Sequence, residues 1–267
     1  MAKRGSSLNA PFLRRLSVVE ERVEKDSFPF NRLPYLARPD FSLGFSRRVT
    51  FLVGENGAGK STLLEAIAAL CDFPAGGGSQ DHWRIENEDP SANRLIQALR
   101  PEWLPRVRSG FYLRAESFFN LAAYIDDVGD IDGLYGGRKM HAQSHGESVL
   151  ALLAHRLRSM GRGIILMDEP EAALSPSSQM AFLGLLREWD RLGTVQVIVA
   201  THSPIIMCYP DATLFWFDGQ GIAETTAEQT EHYRITKAFL SNPPRYLAEI
   251  FDETDAAEPE GADDRWE

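Results

Sequence analysis

The sequence predicts an α/β fold built around a mostly parallel β-sheet. Short apolar segments typical of strands alternate along the chain with segments of helical periodicity, which is the pattern of parallel strands joined by helices. The apolar segment 163–167 is continuous, and 195–200 is a second segment of the same kind apart from Gln196, as expected for strands buried on both faces of a sheet. A third, 49–53, leads through a glycine-rich turn into a helical segment.

Length and composition are those of a globular protein with a substantial core. The chain has 267 residues, 43% of them hydrophobic and 25% charged, which is near the upper size of a single domain. No apolar run approaches the roughly 18 residues that a membrane-spanning helix needs, and no apolar segment of a signal peptide follows the basic N-terminus. Cys71 and Cys208 lack metal-ligand spacing, which favours reduced thiols and a cytoplasmic location.

The acidic charge is concentrated at the C-terminus. Residues 252–267 hold eight acidic residues and one arginine, and so carry −7 of the formal net charge of −10. This segment is expected to be a disordered tail, and residues 1–251 a single domain with a helical insertion at about residues 82–145. The nearly balanced charge of that domain does not suggest nucleic-acid binding, although it does not exclude a local basic patch.

The first half of the chain predicts an antiparallel β-layer ahead of the glycine-rich turn. Apolar residues alternate with polar ones over 12–23 and over 41–45, and the second segment is expected to turn at 46–48 into the strand 49–53. Beyond the turn, the sequence predicts helices at 92–99, 115–125 and 148–160, a strand at 110–113 and a loop at 126–139.

The second half predicts the rest of the sheet and its covering helices. Ser175 is a favoured N-cap and Pro176 a favoured first helical residue, so a helix is expected from there to Gly193. The other elements expected are a hairpin of strands 214–217 and 222–225 and two terminal helices, 231–240 and 244–251.

The glycine-rich turn matches G-x-x-x-x-G-K-[ST], which binds phosphate where it joins a strand to a helix. The residues concerned are Gly54, Glu55, Asn56, Gly57, Ala58, Gly59, Lys60, Ser61 and Thr62. Glycines let backbone N–H groups curl around phosphate oxygens, and the helix N-terminus favours the same anion. Lys60 can reach the β- and γ-phosphates and Ser61 can bind Mg²⁺. The alternative is a glycine-rich turn with a surface lysine, and the flanking strand and helix favour nucleotide binding over it.

Two acidic residues follow the apolar strand 163–167. A carboxylate at the first position can hold the Mg²⁺ shell, which makes Asp168 a candidate metal ligand. Strand alternation turns Glu169 a different way, so it is placed to polarise an attacking water. The alternative is a helix-capping or solvated acidic pair after a core strand.

A histidine follows the next apolar strand, 195–200. Ligands of open α/β sheets bind beside the carboxyl ends of the strands. His202 could therefore donate to the γ-phosphate and report whether that phosphate is present. The alternative is a partly buried histidine satisfied by a backbone carbonyl.

Five segments in this order resemble the motifs of the ABC-type ATPase domain. They are 54–62, Ser-His-Gly-Glu-Ser at 144–148, Leu-Met-Asp-Glu-Pro at 166–170, Glu-Ala-Ala-Leu-Ser at 171–175 and Thr-His at 201–202. The resemblance covers about residues 12–217 and implies a P-loop fold with ATP and Mg²⁺ as cofactors. It also implies a head-to-tail dimer, in which Ser144 and Gly146 of the signature motif contact the γ-phosphate held by the partner subunit, and 171–175 forms the D-loop.

The signature segment departs from the Leu-Ser-Gly-Gly-Gln of transporter subunits. It has His145 and Glu147 instead, which is closer to the SMC-like and chromosome-repair branch and to small stand-alone ATPases; a simple helix-capping turn is the alternative. The family's glutamine between P-loop and signature is not evident. Gln97 lies in a helical segment, whereas Glu116 occupies the expected place and would put a carboxylate near the metal.

The resemblance also implies an aromatic residue that stacks on adenine. Phe30 and Tyr35 are the candidates, and either could instead pack in the core or a loop. His141 and His145 are four residues apart, but beside the signature they are expected to be solvated or near the nucleotide rather than metal ligands.

The sequence thus predicts an Mg²⁺-dependent ATPase with Lys60, Glu169 and His202 as its catalytic residues, active as an ATP-dependent homodimer. The biological output is not decided by the site. The alternatives are a DNA-repair or chromosome-associated ATPase, a nucleotide-gated binding module and a transporter ATP-binding subunit. The lack of a long coiled-coil arm argues against the first, and the altered signature argues against the last.

Overall fold

The computed structural model describes residues 8–74, 77–78, 90–115, 150, 153–154 and 161–255, which form two β-sheets with helices packed against them. The strands are β1 (Leu13–Val18), β2 (Ser42–Gly44), β3 (Val49–Gly54), β4 (Leu99–Trp103), β5 (Gly110–Arg114), β6 (Gly163–Asp168), β7 (Val195–Ala200), β8 (Ala212–Phe217) and β9 (Ile222–Thr225). The α-helices of this part are α1 (Lys60–Leu70), α2 (Pro90–Ala98), α3 (Pro176–Leu192), α4 (Glu231–Ser241) and α5 (Pro243–Asp255).

The larger sheet has the strand order β5-β6-β7-β3-β8-β9. Its first five strands are parallel, and β9 is antiparallel to β8. The segments predicted as buried strands, 163–167 and 195–200, are the neighbours β6 and β7, and both are buried along their whole length. The predicted mostly parallel sheet and its terminal hairpin are therefore confirmed.

The smaller sheet is antiparallel, with the order β2-β1-β4, and confirms the predicted β-layer. The predicted strand 12–23 is too long, because the consecutive charged residues 20–22 break the alternation and form a 3-10 helix. The predicted turn at 46–48 does connect β2 to β3, but the two strands lie in different sheets, because β2 pairs with β1. β4 begins at the last residue of the predicted helix 92–99, and Pro101 is tolerated in it because β4 pairs on one side alone.

The two faces of the larger sheet are covered by different layers. Val49, Phe51 and Val53 of β3 pack with residues of α3, whereas Leu52 packs with residues of α1 and the smaller sheet. This follows from the alternation of side chains along a strand. The turn that leaves β3 is therefore held at the edge of a sheet packed on both sides.

A buried glutamine joins the two sheets. The Gln196 side-chain oxygen on β7 accepts hydrogen bonds from the backbone N–H groups of Phe12 (2.8 Å) and Leu13 (2.9 Å). Its side-chain nitrogen donates to the Leu13 carbonyl at 3.0 Å. Because Gln196 is fully buried, these bonds satisfy polar groups that have no access to water.

The predicted helix boundaries are mostly confirmed. The Ser175 hydroxyl accepts a hydrogen bond from the Ser178 N–H at 3.2 Å, and Gly193 ends α3 with φ 69°. Three predicted helices are present: 92–99 corresponds to α2, 231–240 to α4 and 244–251 to α5, which continues to Asp255. The predicted strand 110–113 corresponds to β5. The predictions for 115–125, 126–139 and 148–160 lie wholly or largely outside the described residues. Within the described ranges, no helix combines the length and apolarity needed to cross a membrane.

Candidate nucleotide site

The carboxyl ends of three neighbouring strands bring the predicted site residues together. The sheet order β6-β7-β3 places Asp168, His202 and the glycine-rich turn at one edge. This is the edge at which open α/β sheets bind their ligands.

The glycine-rich turn has a backbone shape that requires glycine. Gly54 has φ 143°, and a Cβ there would lie 2.1 Å from the Phe217 carbonyl oxygen. Gly59 has φ 97°, and its Cβ would lie 2.5 Å from the Tyr35 hydroxyl, which donates a 2.6 Å hydrogen bond to the Ala58 carbonyl. The turn is thus a close-fitting backbone cradle of the kind that binds phosphate.

Lys60 begins α1 at the mouth of this cradle. Its ammonium donates hydrogen bonds of 2.9 Å to the carbonyls of both Gly54 and Glu55, and the residue is only 4% exposed. Burial lowers the pKa of Lys60, and neighbouring carboxylates, first Glu169 and then Asp168, act in the opposite direction. A positive charge held here can pair with phosphate oxygens.

The next residue of α1 contacts the end of β6. The Ser61 hydroxyl donates to Asp168 Oδ1 at 3.0 Å. Burial raises the pKa of Asp168 to about 6, against the opposing effects of the Ser61 hydrogen bond and then Arg114. Mg²⁺ prefers oxygen ligands and usually takes one or two from the protein, so a hydroxyl and a carboxylate this close together fit that ion.

A partly buried ion pair beside Asp168 was not foreseen from the sequence. Arg114 ends β5 in register with Asp168, and its guanidinium contacts Glu65 of α1 at 2.9 Å. The charge of Arg114 favours the ionised form of Asp168, which is the form that binds a metal ion. The only signal in the sequence is a charged residue directly after an apolar strand.

Glu169 extends from the strand end in an unusual conformation. Its φ of 49° and ψ of 52° lie in the left-handed region, which costs a non-glycine residue on the order of 1–3 kcal/mol. Its side chain is 44% exposed and makes no capping hydrogen bond to the following 3-10 helix, Pro170–Ala173. The carboxylate is therefore free of a capping role and faces the cavity beside the turn.

His202 is surrounded by side chains of three other residues. Its backbone N–H donates to Glu171 Oε1 at 2.5 Å, and its ring nitrogens face Glu169 and His232. Nε2 lies 3.2 Å from Glu169 Oε1, and Nδ1 lies 3.0 Å from His232 Nε2. The alternative interpretation is that a backbone carbonyl satisfies the His202 ring. In the structure both ring nitrogens face side chains instead. Nothing in the sequence indicates that Glu171 and His232 contact His202.

A cavity of about 230 Å³ opens beside the turn. Phe28, Arg32 and Leu33 line it together with residues of the turn and Glu169. The adenine-stacking candidates Phe30 and Tyr35 are 1% and 2% exposed and belong to the core. Phe28, at 39% exposed, is the aromatic residue beside the cavity.

The structure does not place the remaining predicted site residues beside the glycine-rich turn. Glu116, Ser144 and Gly146 lie outside the described residues, as do His141 and His145. Gln97 lies in α2, as predicted, and its carbonyl accepts a hydrogen bond from Arg22.

Comparisons with known proteins identify relatives along most of the chain. The family profile described as "AAA domain, putative AbiEii toxin, Type IV TA system" matches residues 102–207, and one described as "AAA domain" matches residues 33–96.

The hemin import ATP-binding protein HmuV of Nocardia farcinica is 31% identical over 256 residues, covering 86% of this chain and 85% of that protein. The thiamine import ATP-binding protein ThiQ of Ruegeria sp. is 34% identical over 169 residues, covering 57% and 70%. A solved structure, cbiO1 of Clostridium perfringens, part of the ABC transporter complex cbiONQ, has a TM-score of 0.45 at 19% identity, and the match covers 78% of this chain and 90% of that one.

The two relatives are named for different imported compounds and share the description of ATP-binding proteins. The glycine-rich turn and the Ser61–Asp168 contact lie in an α/β fold of the kind that this family has. ATP binding and ATPase activity are properties of the family. The chain belongs to the ABC-type P-loop ATPases.

Proposed function

We propose that this chain binds ATP with Mg²⁺ and hydrolyses it in the cytoplasm, as a head-to-tail homodimer with nucleotide between the subunits. The observation that carries the proposal is the convergence of Lys60, Ser61 and Asp168 at the mouth of the glycine-rich cradle. A cation, a hydroxyl and a carboxylate in that arrangement suit a triphosphate and its metal ion.

Each residue of the site has a separate task in this reaction. The turn amides and Lys60 would hold the phosphates, and Ser61 and Asp168 would hold Mg²⁺. Bound Mg²⁺ supplies charge neutralisation at the phosphate oxygens. Glu169, exposed at the cavity, would orient the attacking water, and His202 would donate a hydrogen bond toward the γ-phosphate.

The cavity beside the turn extends the proposal to the base of the nucleotide. Among the lining residues, Phe28 offers an exposed aromatic ring and Arg32 a cationic side chain. An aromatic ring can stack on a planar base. We therefore assign the base-contacting role to Phe28 rather than to Phe30 or Tyr35.

The dimer is proposed from the signature motif. Ser144 and Gly146 would reach the γ-phosphate held by the partner subunit, and residues 171–175 would lie at the same interface. Glu116 would add a carboxylate near the metal. Hydrolysis would then be slow at low protein concentration, because the site is completed by the second copy.

The decisive experiment compares phosphate release by the wild type and Glu169→Gln under multiple turnover. Glutamine keeps the size of the side chain but cannot act as a base, so turnover is expected to fall by a factor of about 100 or more while ATP still binds. If the wild type binds ATP but shows no turnover that is lost in Glu169→Gln, the result would instead indicate a nucleotide-gated binding module.

A transporter ATP-binding subunit is the second candidate, because the matched relatives are import proteins. Copurification with Glu169→Gln, which would trap the nucleotide-bound state, tests it: a transporter subunit would bring down an integral membrane protein. For the DNA-repair or chromosome-associated alternative, ATPase activity would be stimulated by DNA and the stimulation would weaken with salt.

A further inference from the structure

His232, near the start of α4, contacts the ring of His202. The two residues are 30 positions apart, their rings have centroids 5.0 Å apart, and His202 Nδ1 lies 3.0 Å from His232 Nε2. None of the phosphate-binding motifs includes His232. The contact is therefore an observation separate from those that define the nucleotide site.

We propose that His232 is a positioning residue that fixes the tautomer and the ring orientation of His202. This rests on the proposed role of His202 as a donor to the γ-phosphate. His232 is not among the described residues that line the cavity, whereas its ring contacts His202, so it acts through His202.

The neighbours of His202 determine which of its nitrogens carries the proton. A neutral imidazole has one donor and one acceptor nitrogen, and a carboxylate only accepts. Glu169 Oε1 lies 3.2 Å from Nε2, and a carboxylate oxygen at that distance repels a nitrogen lone pair and attracts an N–H even without hydrogen-bond alignment, so the favoured tautomer has its proton on Nε2. Nδ1 is then an acceptor, and His232 donates to it from Nε2–H. Burial, and after it the Lys60 ammonium, lower the pKa of His202 and so favour the neutral ring.

Of the two ring contacts, the one to His232 is the aligned hydrogen bond. The Nε2–Glu169 contact has the length of a hydrogen bond but not the alignment of one. Orientation of the ring thus depends on Nδ1, and the hydrogen bond made by one histidine nitrogen sets the state of the other.

His232 is itself held in place by its surroundings. Thr230, the buried N-cap of α4, donates to the Ala227 carbonyl at 2.6 Å and accepts from the Tyr233 N–H at 3.4 Å. The His232 ring meets the Trp216 ring edge-on, with centroids 6.0 Å apart. A donor fixed in this way can select one tautomer of its neighbour.

Two substitutions separate the hydrogen bond from the packing of the ring. His232→Gln keeps an N–H donor near the position of Nε2, whereas His232→Phe keeps a ring against Trp216 and has no donor. Arg234→Gln, at an exposed position on the same helix, is the matched control. We expect kcat of His232→Phe to fall by about 10-fold to 100-fold, the usual effect of removing a partner that orients a functional histidine, with KM little changed. His232→Gln should recover most of the loss, and Arg234→Gln should match the wild type. A glutamine variant as impaired as the phenylalanine variant would overturn the proposal.

Nitrogen NMR of ¹⁵N-histidine-labelled protein tests the tautomer without relying on turnover. The signals of His202 among the six histidines are identified by their loss in His202→Gln. We expect the Nε2–H tautomer in the wild type and a mixture of tautomers in His232→Phe. An Nδ1–H tautomer in the wild type, or an unchanged spectrum of His202 in His232→Phe, would overturn the proposal. Absence of turnover in the wild type would contradict the ATPase function, and the NMR result would still decide the role of His232.

Discussion

The Ser61 hydroxyl donates a 3.0 Å hydrogen bond to Asp168 Oδ1, across 107 positions of the chain. Ser61 lies in the first turn of α1, and Asp168 ends β6, which is separated from β3 by one strand in the sheet. Two motifs that the sequence predicts separately therefore meet, and each contributes one oxygen atom that could serve as a metal ligand. This contact is the observation that supports the proposed Mg²⁺ site next to the glycine-rich turn.

Replacing Lys60 by alanine is expected to weaken ATP binding by about 10-fold to 100-fold, since hydrogen bonds to charged groups contribute on the order of 1.5–3 kcal/mol. Titration with a fluorescent ATP analogue in Mg²⁺ measures the effect. Lys237→Ala, at an exposed position of α4, is the control and should bind as the wild type does. Equal affinity of Lys60→Ala and the wild type would remove Lys60 from the site.

Asp168→Asn is expected to stabilise the metal-free protein at neutral pH. The pKa of Asp168 is raised from 3.8 to about 6, so between these values the folded protein binds its proton more tightly than the unfolded chain does. Stability therefore falls as the pH rises through this window, and the buried charge costs on the order of 1–3 kcal/mol above about pH 6.

Urea unfolding in EDTA at pH 7.5 and near pH 4 checks this. The asparagine variant should have the larger free energy of unfolding at pH 7.5, and the difference should shrink toward zero near pH 4. A variant less stable than the wild type at pH 7.5 would contradict the assigned effect of burial. Added Mg²⁺ should stabilise the wild type more than the variant.

Two glycines of the turn form a matched pair for testing the cradle. Gly57 and Gly59 both have positive φ, but only at Gly59 would a Cβ meet other atoms, the nearest being the Tyr35 hydroxyl. Both alanine substitutions carry the left-handed cost of about 1–2 kcal/mol. Gly59→Ala should lose a further 1–3 kcal/mol or so through overpacking, because Tyr35 is held by its bond to Ala58. Urea unfolding of the two variants measures the difference, and equal losses would show that Tyr35 does not support the turn.

Ser144→Arg is expected to leave ATP binding intact and to prevent dimer formation. A bulky cation at the signature serine would occupy the space that the partner's γ-phosphate needs. Light scattering of the Glu169→Gln background with ATP and Mg²⁺ should show a dimer, and the double variant should stay monomeric. A dimer that persists in the double variant would remove Ser144 from the interface.

The sequence predicted the positions that depend on local order along the chain. Asp168 and His202 each follow a largely apolar segment, and the carboxyl ends of parallel strands share one edge of the sheet. The α3 boundaries at Ser175 and Gly193 are also local features, because they follow from capping preferences. These features need no knowledge of distant contacts.

The rest depended on tertiary contacts that a single sequence does not show. Phe28, Phe30 and Tyr35 are aromatic residues of one proline-broken segment, and only the folded chain distinguishes the exposed ring from the two buried ones. β4 exists because β1 offers an edge to pair with. His232 reaches His202 through the packing of α4, and nothing in its own sequence surroundings indicates that contact.

A crystal structure of the protein with Mg²⁺ and a non-hydrolysable ATP analogue tests the central claim most directly. We expect the triphosphate to accept hydrogen bonds from backbone amides of residues 57–62 and from Lys60, with Mg²⁺ bound by the Ser61 hydroxyl and by Asp168, directly or through one water. A nucleotide bound elsewhere, or an ion without contact to Ser61 and Asp168, would contradict the account.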